Sequence, residues 1–132
     1  MSTGYPNNFS PSEFNCKCRN QFCDGPPPHP DRTRHLAWTL QRIRDKIGAS
    51  IRVTSAYRCT AWNEHVGGAA QSYHPRGMAA DIDVMGVSPS EVADTVEEMM
   101  EKGDIPNGGL GRYKTFTHVD IRRGAARWGS ND

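Results

Sequence analysis

The sequence predicts an α+β domain, a small and mostly antiparallel sheet with helices packed on one side. Two observations carry this. Two long stretches repeat apolar residues at helical spacing and are bounded by start and stop signals. Four short stretches carry apolar residues over strand lengths. Helices segregated against such a sheet make an α+β domain.

Ser10-Pro11-Ser12-Glu13 reads as a capping box with proline at the first helical position, and Ser88-Pro89-Ser90-Glu91 repeats it. The first is expected to open a short turn and the second a full helix. Leu36, Leu40, Ile43 and Ile47 recur at i, i+4, i+7 and i+11 and predict a helix over Asp31 to Ile47, stopped by Gly48. The second helix is expected over Pro89 to Lys102, with Val92, Val96, Met99 and Met100 inward and Gly103 as its stop. The methionine pair reads as core filling. Strands are expected at Ile51 to Ala56, Ala79 to Val84, Gly109 to Tyr113 and Phe116 to Arg122. In the last of these, alternation puts Phe116, His118 and Asp120 on one face.

A chain of 132 residues fits one compact domain. Residues 1–30 read as a cysteine-containing arm with a polyproline-like connector, Pro26-Pro27-Pro28-His29-Pro30, strapped onto a body of residues 31–132. The formal charge of +1 excludes a strongly basic nucleic-acid binder. Nothing approaches a membrane span of about 18 apolar residues. Met1 to Phe9 is polar and lacks the regions of a signal peptide, so synthesis in a cytosol is expected.

Three of the four cysteines, Cys16, Cys18 and Cys23, are crowded together, and the fourth is Cys59. They read as free or partly buried thiols, as a structural zinc site if the fold brings Cys59 to the others, or as two disulfides. A reducing compartment argues against disulfides.

The chemistry concentrates in Ser72-Tyr73-His74-Pro75-Arg76-Gly77-Met78-Ala79-Ala80-Asp81. An aspartate in the apolar strand Ala80-Asp81-Ile82-Asp83-Val84 is costly to bury unless paired or metal-bound. Asp81 and Asp83 share a face, and a cation would relieve their repulsion. With His74 and His118, Asp81 makes two imidazoles and one carboxylate, a ligand set that leaves an open position as catalytic zinc requires. Singly, each residue also reads as structural, the histidines as hydrogen-bonded side chains and the aspartate as a cap or ion-pair partner.

The runs Val53-Thr54-Ser55-Ala56-Tyr57-Arg58, Asn63, Ser72 to Asp81, Gly109-Leu110-Gly111-Arg112-Tyr113 and His118-Val119-Asp120 resemble the zinc D-Ala-D-Ala carboxypeptidase family, in particular its short phage-type members. That family groups with phage L-Ala-D-Glu endopeptidases, D-Ala-D-Ala dipeptidases and the hedgehog signalling domain. The resemblance spans about residues 36–128 and implies a hedgehog-like peptidase fold. It implies His74, Asp81 and His118 as zinc ligands, Arg58 as the arginine that binds substrate and stabilises an oxyanion, and Ser72 as a substrate-contacting serine. Trp62 to Gly68 resembles the helix and glycine turn that come after the arginine, which leaves His65 structural, like His29 and His35.

One departure stands out. Many members carry an acidic general base three residues before the last histidine ligand, where this chain has Thr115. Asp120 is the substitute candidate for proton handling, or else it orients a ligand histidine; Asp83 is a weaker candidate. Tyr113 is a candidate oxyanion donor or a packing residue. The basic tail Arg122 to Trp128 reads as a solvated face with Trp128 on the sheet, or as a contact for an anionic glycan or substrate carboxylate.

The resemblance thus implies a zinc peptidase acting on peptidoglycan stem peptides, with no nucleic-acid or membrane partner and as a monomer unless carried on a virion. It would reach the wall through a partner's membrane lesion or on the virion. Thr115 favours a second reading, a zinc-stabilised wall-binding or phage structural module. A third, a zinc-finger-like partner protein, rests on the cysteines alone.

Overall fold

The computed structural model describes residues 4–68 and 72–132. Met1–Thr3, at the start of the polar N-terminus, lie outside the described residues, as do Ala69–Gln71. The helices are α1 (Pro30–Ile47), α2 (Thr60–His65) and α3 (Pro89–Lys102). The strands are β1 (Ile51–Ser55), β2 (Ala79–Val84), β3 (Gly109–Arg112), β4 (Thr117–Asp120) and β5 (Ala126–Gly129). They form one sheet in the order β1-β2-β4-β3-β5. β1–β2, β2–β4 and β3–β4 are antiparallel, while β3–β5 is parallel.

The two Ser-Pro-Ser-Glu signals behave differently. At Ser88 the hydroxyl accepts the Glu91 N–H at 3.2 Å and opens the full helix α3. At Ser10 the Glu13 carboxylate accepts the Ser10 N–H at 2.6 Å, but the chain makes only a 3-10 turn, Pro11–Phe14. The difference lies in the residues C-terminal to each cap. Val92, Ala93, Val96, Met99 and Met100 give α3 a buried stripe. After Phe14 come polar residues and the first cysteines, so no apolar face exists to carry a helix further. Both long helices stop as expected, at Gly48 and Gly103, each in the left-handed region.

α1 and α3 bury Leu36, Leu40, Ile43, Val92, Val96 and Met100 with the apolar strand residues, among them Val53, Ile82, Leu110 and Val119. Each such side chain contributes roughly 1.5–3 kcal/mol on removal from water. Phe9 and Phe14 of the arm join this same core. The strand residues that alternate with the core ones face the other way, and that face carries the cluster of Asp81, His118 and Asp120.

β5 was not among the expected strands. Ala126-Arg127-Trp128-Gly129 has no run of β-formers and reads as tail, yet it pairs with β3 in parallel register. No described helix is long and apolar enough to cross a membrane.

Replacing Ser88 by alanine removes the α3 cap and is expected to lower unfolding free energy by about 1 kcal/mol. Urea denaturation of the purified variant checks this, with the denaturant slope unchanged.

Candidate metal centre

Two strands and one turn bring the central residues together. Antiparallel register sets Asp81 of β2 opposite His118 of β4. His74 comes from a 3-10 turn, His74–Arg76, that ends at Gly77 with φ 70° and leads into β2. Thr33 of α1 donates its hydroxyl to the Gly77 carbonyl at 3.2 Å, and the Arg58 N–H donates to the His74 carbonyl at 3.2 Å. The turn is thereby tied to both its neighbours.

Each imidazole has one nitrogen committed. His74 Nδ1 lies 2.5 Å from the Ala56 carbonyl oxygen. A carbonyl only accepts, so Nδ1 carries the proton and Nε2 presents a lone pair. Nε2 is buried, has no hydrogen-bond partner among the described residues, and sits 3.3 Å from Asp81 Oδ1. His118 is turned the other way round: Nε2 donates to Asp120 Oδ2 at 2.8 Å, and Nδ1 lies 3.0 Å from Asp81 Oδ1. One Asp81 oxygen therefore stands against a ring nitrogen of each histidine.

These atoms fit a metal ion. The ligating atoms of His74, Asp81 and His118 lie within 4.8 Å of one another. With zinc–ligand bonds of about 2.1 Å, the edges of a tetrahedron are about 3.4 Å. The two measured separations fall close to that value. An orphaned, buried imidazole nitrogen aimed at a carboxylate is the donor set that zinc takes.

The charges of the site are set by these same contacts. Burial works to raise the Asp81 pKa, but His118 and His74 outweigh it and hold the carboxyl well below its usual range. Burial likewise works to lower the His118 pKa, and Asp120 and Asp81 outweigh it, so the imidazole titrates above its usual value. Asp120 is held low, against its burial, by Arg122 and His118.

Asp120, expected either to handle protons or to orient a ligand histidine, has the surroundings of the second role. It is fully buried and accepts hydrogen bonds from Arg122 Nε at 2.8 Å, Arg122 Nη2 at 2.7 Å, the Gly109 N–H at 2.9 Å and His118. A carboxylate so engaged orients His118 and has no oxygen to offer a reacting group. Two glycines on β3 make this possible. A Cβ at Gly109 would collide with the Asp120 carboxylate, and one at Gly111 would fall 2.6 Å from the Trp128 indole nitrogen. Trp128 crosses the gap over Gly111, and its ring centroid lies 4.9 Å from that of His118.

The face shared by Asp81 and Asp83 does not make a carboxylate pair. Asp83 ion-pairs with Arg52 at 3.0 Å and does not line the cleft. Thr115 is exposed and is also absent from the cleft wall. Arg58, Ser72 and Tyr113 do line the cleft, a cavity of about 490 Å³ over the histidines. Arg58 Nη2 is 3.9 Å from Asp81 Oδ2. The Ser72 hydroxyl accepts the His74 N–H at 3.1 Å, so it caps the turn from the cleft wall. Tyr113 stacks on Phe116, with centroids 4.3 Å apart, and its hydroxyl oxygen accepts from the Trp128 indole at 2.9 Å. His65 stacks on Trp62 and touches Phe22, which also meets Trp62.

Sequence reasoning missed Arg122 and the Ala56 carbonyl as members of the site. The tail from Arg122 reads as a solvated face or as a contact for an anionic glycan or substrate carboxylate, but Arg122 grips Asp120 and lies over the rings of Tyr73 and Trp128. Its position two residues after Asp120 on a β-strand path, hence the same face, was the available signal. The Ala56 carbonyl has no sequence signature. The four cysteine sulfurs do come together, away from this cleft.

A family model, Peptidase M15, matches residues 7–120, a span containing His74, Asp81 and His118. The chain belongs to the Peptidase M15 family. Peptidase M15 proteins are zinc-dependent metallopeptidases, which agrees with the donor set. A search of curated proteins returns no match. The matched span stops at Asp120, and Arg122 and Trp128 lie beyond it.

Three substitutions separate these roles. Asp120→Asn and Gly109→Ala are expected to weaken zinc binding about 10–100-fold by releasing His118, while Asp83→Asn leaves it unchanged; competition with a chromophoric chelator measures all three. The pH dependence has a definite sign. Without metal, the depressed Asp81 carboxyl stabilises the fold above about pH 4 and loses this as pH falls, whereas the raised His118 stabilises it below about pH 6.5 and loses this as pH rises. Zinc binding requires His118 without its second proton, so its stabilisation is expected to grow as pH rises through the raised titration of His118, above the usual histidine value. Thermal unfolding with and without zinc across pH checks both trends.

Proposed function

We propose that this chain is a zinc peptidase of the phage lysin type that hydrolyses amide bonds in peptidoglycan stem peptides, as a carboxypeptidase or endopeptidase. The observation that carries the reading is the orphaned His74 Nε2, facing Asp81 and His118 at the floor of an open cleft. Family membership supports the peptidase class.

His74, Asp81 and His118 are the residues that hold the ion. Bound there, zinc supplies a Lewis acid for a carbonyl and brings the ionisation of water toward neutral pH. The side chains around it do the rest. Arg58 lines the cleft with its Nη2 3.9 Å from Asp81 Oδ2, so the guanidinium sits beside the metal ligands where a substrate oxygen would come. Its charge persists at any working pH and suits it to a developing oxyanion. Because Tyr113 accepts from Trp128, its own phenol proton is free to be donated into the cleft. Tyr113 and Phe116 form an apolar wall against which a short peptide side chain packs. Ser72 holds the His74 turn and borders the substrate path. Action at the cell wall, reached through a partner's membrane lesion or on a virion, completes the reading.

One observation favours a second reading. The cleft wall has no carboxylate besides Asp81 among the described residues, because Asp120 is saturated and Thr115 replaces an acid. A zinc-stabilised module that binds walls or serves in a virion without cutting fits that feature.

The test is release of free amino groups from purified peptidoglycan by zinc-loaded protein. The peptidase reading expects release that His74→Ala abolishes and Arg58→Lys cuts about 100-fold, because a lysine cannot reproduce the guanidinium fork. Co-sedimentation with walls of several chemotypes, zinc retained and no amino groups released, would establish the binding module instead.

A further inference from the structure

We propose that Cys16, Cys18, Cys23 and Cys59 hold a second zinc ion as a tetrathiolate, and that this ion fixes the N-terminal arm against the segment carrying Arg58. The four sulfurs all lie within 4.8 Å of one another. Cys18 and Cys23 sulfurs are 3.5 Å apart, and those of Cys16 and Cys59 are 3.8 Å apart. A zinc ion with sulfur bonds of about 2.3 Å gives tetrahedral edges of about 3.8 Å. A disulfide needs about 2.05 Å and joins sulfurs only in pairs. Two disulfides have no reason to converge on one point, whereas a single ion requires it.

Few other contacts hold this arrangement: the Cys16 N–H donates to the Gly25 carbonyl at 2.7 Å, and Phe22 packs on Trp62 and His65. The three buried cysteines form a cluster of their own, separate from the main core, with Cys23, Tyr57 and Trp62 at its edge. Between Asn15 and Gly25 the only large apolar side chain is Phe22, and it is 45% exposed. Hydrophobic contact therefore holds this loop chiefly through the half-exposed Phe22 on Trp62 and His65. The loop is also strained: Arg19 and Asn20, consecutive non-glycine residues, both sit in the left-handed region at φ 56° and 63°. Such conformations persist only where the surroundings over-determine them. Here they fold the chain back so that Cys23 meets Cys18, and the Gln21 N–H donates to the Cys18 carbonyl at 3.1 Å. The Cys59 N–H points at Cys16 Sγ at 3.4 Å, the kind of donor that stabilises a metal-bound thiolate.

The position gives the ion a purpose. Cys59 directly follows Arg58 and precedes α2. Across the same junction the Tyr57 N–H donates to the Phe14 carbonyl at 3.2 Å. An ion bridging the arm to Cys59 holds the backbone of Arg58 from its far side, while the His74 carbonyl holds it from the near side.

The proposal does not depend on the peptidase reading, and its test does not use activity. The full-length chain is prepared under reducing conditions with Zn2+ and its metal counted by elemental analysis. Two zinc ions per chain are expected, falling to one in the His74→Ala/His118→Ala variant. Replacement by Co2+ in that variant is expected to give intense sulfur-to-metal charge-transfer absorption, lost in Cys18→Ser. Should the histidine variant fail to fold, the cobalt spectrum of the unaltered chain decides equally well, because the other site contains no sulfur. Absence of that band, or an intact mass showing two disulfides and no second metal in freshly purified protein, would overturn the proposal.

Discussion

Two imidazole rings, each with one nitrogen bonded to a fixed acceptor, set the chemistry of this protein. The Ala56 carbonyl takes the His74 Nδ1 proton, and the Asp120 carboxylate takes that of His118 Nε2. The opposite nitrogens then have no choice but to present lone pairs, and both present them to Asp81. Three electron-rich atoms in a buried space repel one another unless a proton or a cation sits among them. The fold tolerates that repulsion because strand pairing fixes Asp81 and His118, and because the His74 turn is tied to α1 and to the Arg58 backbone.

The remaining features of the polar face serve to keep His118 in place. Asp120 is buried without exposure, so its charge must be compensated on the spot. Arg122 supplies the charge with two hydrogen bonds, and the Gly109 amide supplies another donor. Gly109 and Gly111 lack side chains because Asp120 and Trp128 occupy the space. β5 exists as a strand to deliver Trp128 there, and its parallel pairing with β3 matches Trp128 to Gly111.

Much of this was legible in the sequence, for identifiable reasons. Both long helices and their glycine stops follow from apolar periodicity and capping, because their stripes are long enough to dominate. The shared face of His118 and Asp120 follows from strand alternation. Asp83 shows where that reasoning fails: alternation fixes the face but not the distance from the metal, and Arg52 on β1 claims the second carboxylate. Asp120 shows a second limit, since a sequence does not reveal that Arg122 and a backbone amide saturate it. β5 escaped because its residues have little strand preference, and pairing with β3 alone makes it a strand.

The arrangement of the histidines is open to direct observation. Long-range proton–nitrogen correlation spectra of imidazole-labelled protein report which ring nitrogen is protonated and which is bound, with and without zinc. Zinc is expected to shift His74 Nε2 and His118 Nδ1 into the range of coordinated nitrogens, with Nδ1 of His74 and Nε2 of His118 protonated. Spectra in which zinc leaves both rings unchanged, or coordinates them through the opposite nitrogens, would contradict this arrangement.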